Sequence, residues 1–127
     1  MLRAAWAGMF GGVVSGALIG LFFHREDWMG GYGSHRRRLV RLGHISFFGL
    51  GFLNVLFAFS HQAVGLEAAW AGLAGRALLV GAVTMPLCCF LSAWRKPLRH
   101  LFPVPVVAVL TGIVCTLLAW PRATTGG

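Results

Sequence analysis

Four runs of the chain, residues 4–23, 42–60, 68–94 and 103–120, contain almost no charged side chain. A helix needs about 20 apolar residues to cross the roughly 30 Å hydrocarbon layer of a bilayer, so runs of this length without charge are bilayer spans. In lipid every backbone N–H and C=O must be satisfied within the segment, which leaves helices as the form these runs take. The expected fold is therefore an all-α integral membrane protein with four transmembrane helices in a single domain, 1–127. Of its residues 57% are hydrophobic and 11% are charged, against about 25% charged in a soluble domain.

The net charge of +8 invites a nucleic-acid reading, but placement argues against it. Basic residues flank the apolar runs, where they act as orientation signals. The segment after the first run carries Arg25, Arg36, Arg37, Arg38 and Arg41, and the segment after the third carries Arg95, Lys96 and Arg99. The remaining segments hold only Arg3 and Arg122. The positive-inside rule puts the first two on the cytoplasmic side and both termini outside. A bacterial-type inner (cytoplasmic) membrane, crossed several times, is the expected location. Arg36, Arg37, Arg38, Arg95 and Lys96 are expected to meet anionic lipid headgroups. No signal-peptidase-like site follows the first run, so that run is expected to be retained.

Within the first run Ala4, Gly8, Gly12, Gly16 and Gly20 recur every fourth residue. Each glycine costs a helix about 0.8–1 kcal/mol against alanine, and close helix packing in a bilayer is the available compensation. Gly8, Gly12, Gly16 and Gly20 are thus expected to form a packing ridge, a glycine zipper. The string Ala4-Ala5-Trp6-Ala7-Gly8 recurs as Ala68-Ala69-Trp70-Ala71-Gly72, which suggests a parallel repeat of two two-helix units.

Arg76 lies inside the third run, and intramembrane charges face a cavity, a partner or the interface. Counting inward from the helix ends places Gly12, Asn54 and Arg76 at one depth, an expected intramembrane polar layer. Arg76 either snorkels to the headgroups or makes an anion site, the basis for a small anion channel or transporter. His44 and Gly51 share a seam on the second run, and imidazole is a common haem ligand. A haem b reading, or a quinone-side electron carrier, uses His44 with His100 as the second ligand. Pro86 is expected to kink the third helix.

Cys88, Cys89 and Cys115 show no metal or redox spacing, and His24, Glu26, Asp27 and His35 lack a zinc-helix pattern. No metal, no acid within a span and no nucleophile–base spacing leave catalysis without support. The leading expectation is a non-catalytic accessory or assembly subunit, or a structural homo-oligomer, with other membrane subunits or itself as partner, besides lipid.

Overall fold

A computed structural model describes residues 1–121, and Arg122 of the orientation count lies outside them. The chain is all-helical: α1 (Leu2–Phe23), α2 (His35–Val64), α3 (Ala68–Trp94) and α4 (Pro103–Leu118), with short 3-10 turns at Trp28–Gly30 and Lys96–Leu101. All four helices are long and apolar enough to cross a membrane, the fourth when the turn before it is included.

α2 differs most from its expected bounds. It begins at His35, not near residue 42, because Ser34 caps it. The Ser34 backbone is extended, and its Oγ accepts from the Arg37 N–H at 3.2 Å. Such a cap satisfies one of the orphan donors of a first turn. Four of the five arginines expected in a loop, all but Arg25, therefore ride on the first two turns of a helix. The chain reaches Ser34 through a tight reversal in which Gly30 and Gly31 take φ of +87° and +91°, values open to glycine without steric cost. α2 ends at Val64 with Gly65 in the left-handed conformation, a common helix stop. α3 runs unbroken through Pro86.

The helices pack in chain order. α2 lies between α1 and α3, α4 lies on α3, and α1 barely touches α3. Neighbours are antiparallel and their register is set by small residues. On α1–α2, Gly16 meets His44, Gly12 meets Phe48, and Met9 meets Gly51. On α2–α3, Gly43 meets Cys89, and Phe57 meets Gly75. On α3–α4 the exchange is reciprocal, with Val109 over Gly81 and Leu78 over Gly112. One apolar core joins α2, α3 and α4 through Phe57, Ala74, Leu78 and Cys115. A second, at the other end, gathers Leu39, Val40 and Ala93 with Ile19, Trp28, Phe90 and Phe102 around them.

Candidate functional site

Two polar side chains that lie within the spans, His44 and Asn54, border cavities beside α1. At the first, Gly16 leaves room for the His44 ring: a methyl there would stand 2.5 Å from His44 Cε1. Ser15, next to it on α1, places its Oγ 3.2 Å from His44 Nδ1 and donates to Gly12 O at 2.9 Å. Phe48, one turn along α2, meets the imidazole edge-on with centroids 5.6 Å apart. The ring opens on a cavity of about 220 Å³, lined by Gly16, Ile19, Gly20, Phe23, Arg41 and Ile45.

At the second, the gap between α1 and α3 forms an apolar cleft of about 470 Å³. Ala4, Ala7 and Gly8 form one wall and Leu79, Val83 and Pro86 the other, with Asn54 of α2 between them. Asn54 is buried. Its Nδ2 donates to Leu50 O at 2.8 Å and reaches Leu78 O at 3.4 Å, while its Oδ1 is buried without a partner. Because both of its neighbours are carbonyls, the amide orientation follows from the bonds it makes.

The expected layer of Gly12, Asn54 and Arg76 does not form. Gly12 is level with Phe48, six residues or about 9 Å along α2 from Asn54. Counting inward from helix ends missed this because α1 is set inward of its neighbours: Met1 already lies against Gly75, seven residues into α3. Arg76 is exposed and donates from Nε to Gly72 O at 3.2 Å, so its side chain turns back along α3. The glycine ridge is also divided. Gly12 and Gly16 receive aromatic rings, whereas Gly8 and Gly20 have no described atom within 4 Å of an added Cβ. These glycines therefore admit side chains and cavities, and they do not form one continuous helix-to-helix seam.

His44 and His100 are not brought together. His44 faces α1, while His100 is exposed in the turn between α3 and α4. The residues offer one ring nitrogen and a cavity sized for a single six-membered ring, which does not fit a porphyrin held by two histidines of this chain. Among the described residues no group of three or more His, Cys, Asp or Glu is placed to hold a metal ion.

Two of the five arginine and lysine positions expected at headgroups bond to other helices, Arg37 from a buried position and Arg36 from an exposed one. Arg37 is buried and donates from Nη2 to Phe23 O at 2.9 Å, at the end of α1. Its guanidinium lies 4.6 Å from the Phe23 ring centre, 4.4 Å from Tyr32 and 5.7 Å from Trp28. Arg36 donates from Nε to Ala93 O at 2.9 Å, near the end of α3. Cations suit the carbonyl end of a helix, so adjacent arginines each cap a different neighbour. Arg38, Arg95 and Lys96 are exposed. Ser15, Ser34 and Arg41 carry roles that the sequence did not suggest. Ser34 had a readable signal, a capping residue directly before the basic run; Ser15 and Arg41 had none.

Comparison with known proteins finds no matching family, no similar curated protein and no similar solved structure.

Proposed function

We propose that the chain is an accessory or assembly subunit of a larger membrane complex, and that a transmembrane helix of its partner occupies the cleft between α1 and α3. The observation that carries this reading is the unpaired Oδ1 of buried Asn54 beside an apolar cleft. A buried polar atom without a partner costs about 1–3 kcal/mol. Asn54 is level with Leu78, ten residues into α3, or about 15 Å from its start and so near the bilayer midplane. Lipids carry their hydrogen-bond donors in the headgroup layer. At this depth the donor is a polar side chain on another helix, and Ser, Thr, Asn, Gln and His serve in that way. The small wall of Ala4, Ala7 and Gly8 lets a second backbone come close.

In this proposal the protein sits in an inner (cytoplasmic) membrane of bacterial type with both termini outside, as its basic residues suggest. Arg38, Arg95, Lys96 and the back-turned Arg76 meet headgroups, and the α1–α2 and α3–α4 hairpins are two copies of one unit. The test is the mass of the protein after gentle extraction, for wild type and for Gly8→Leu. Gly8 has no described atom within 4 Å, so leucine there fills the cleft without disturbing α1 against α2. Wild type is expected in a particle larger than 13.7 kDa, and Gly8→Leu alone as a folded monomer. A monomeric wild type overturns the proposal, and a particle built only of this chain replaces the partner subunit with a second copy.

A further inference from the structure

We propose that the His44 cavity is a binding site for the head of a quinol-type amphiphile, a para-dihydroxy aromatic ring on an apolar tail. The inference is independent of the cleft between α1 and α3, which shares no lining residue with this cavity.

The tautomer of His44 is assigned from its contact with Ser15. A serine hydroxyl has one hydrogen, and Ser15 gives it to Gly12 O at 2.9 Å. The 3.2 Å contact to His44 Nδ1 then takes its proton from the ring, so Nδ1 bears the hydrogen and Nε2 presents an electron pair. A fixed hydrogen bond at one ring nitrogen is how proteins aim the other at a ligand. The ring is also fixed in position, by Gly16 in front of Cε1 and by Phe48 at its side. Cε1 and Nε2 both lie against Gly16, and His44 lines the cavity; with Nδ1 taken by Ser15, Nε2 is the ring nitrogen left for a ligand there.

An acceptor aimed into an intramembrane cavity selects a ligand with a hydroxyl donor. Arg41 selects the rest. It lines the same cavity from one turn further along α2, as a donor beside the acceptor. A para-dihydroxy ring carries one oxygen at each end, and so can meet an acceptor and a donor at different points of one cavity. One hydroxyl donates to His44 Nε2 while the other oxygen accepts from the Arg41 guanidinium. Ile19, Phe23 and Ile45 supply the apolar walls, and a volume of about 220 Å³ holds one substituted ring. Arg41 stands at the charged end of the helix, so the head sits near the membrane surface and the tail runs into lipid.

The test is titration calorimetry of the full chain in lipid nanodiscs with a decyl-tailed benzoquinol and with the same ring methylated on both hydroxyls. The quinol is expected to bind saturably, and the dimethyl ether about tenfold more weakly, for one lost hydrogen bond at a desolvated acceptor. His44→Phe is expected to lower quinol affinity to that of the ether and abolish the difference between them. His44→Gln, which restores an acceptor, should recover part of the difference while the helical circular dichroism stays at the wild-type level in both variants. Arg41→Gln should weaken both ligands alike. Absence of saturable binding, equal binding of quinol and ether by wild type, or persistence of the difference in His44→Phe each overturns the proposal.

Discussion

The two hairpins, α1–α2 and α3–α4, use the same device to different ends. In α3–α4 the glycines receive aliphatic side chains, Val109 at Gly81 and Leu78 at Gly112, and each helix offers the other both a projection and a hollow. The result is a reciprocal aliphatic contact. In α1–α2 the glycines of α1 receive aromatic rings, His44 at Gly16 and Phe48 at Gly12, and cavities open beside them. Only 11% of the α1 span is buried, against 39% for α3, so α1 has the lighter hold on the bundle. An aliphatic exchange fills space, whereas a planar ring seated on a glycine leaves gaps at its edges. His44 borders one such gap.

The contrast can be broken first at Arg37, which ties α1 to α2 from outside the apolar contact. Arg37→Ala should destabilise the first hairpin by about 3 kcal/mol, through a lost charged hydrogen bond to Phe23 O and lost ring contacts. Cysteine labelling along α1 should report its release while α3–α4 remains protected. Arg37→Lys should recover little, since a point charge does not stack between rings. Next in size, Gly112→Leu should lower stability by about 1–3 kcal/mol by overpacking, because even a methyl there would stand 2.6 Å from Leu78 side-chain carbons. Reversible unfolding in mixed micelles measures this, and an effect no larger than that of Gly12→Ala would erase the distinction between the hairpins. Asn54→Ala should cost about 0.6–1.7 kcal/mol, the range of interhelical hydrogen bonds in membranes, read in the same assay. Smallest of all, Gly20→Ala should fall within about 0.5 kcal/mol of wild type. Gly16→Ala, one turn away, should displace His44 and shift its ring proton resonances.

The spans were legible in the sequence because their exclusion of charge is a property of composition, requiring no knowledge of neighbours. The faces were not. In water a helix shows its buried side by apolar periodicity, but lipid is as apolar as a helix neighbour, so α1 and α3 are hydrophobic all round and their rotation is unmarked. Gly12 and Gly16 stood out as small, yet nothing marked them as seats for rings while Gly8 and Gly20 face open space. The depth of Gly12 depended on where α1 begins relative to its neighbours, and nothing in the sequence marks that Met1 starts level with Gly75. Arg36 and Arg37 misled for another reason. Charge placement locates a membrane face, but the capping residue Ser34 determines that these arginines lie on a helix, within reach of carbonyls on two others.

The paired caps also differ in when their partners are made. When α2 is made, the carbonyl that Arg37 binds, at Phe23, has already been synthesised 14 residues earlier. The partner of Arg36, at Ala93, arrives 57 residues later. Two adjacent residues thus tie α2 both to the helix made before it and to the helix made after it.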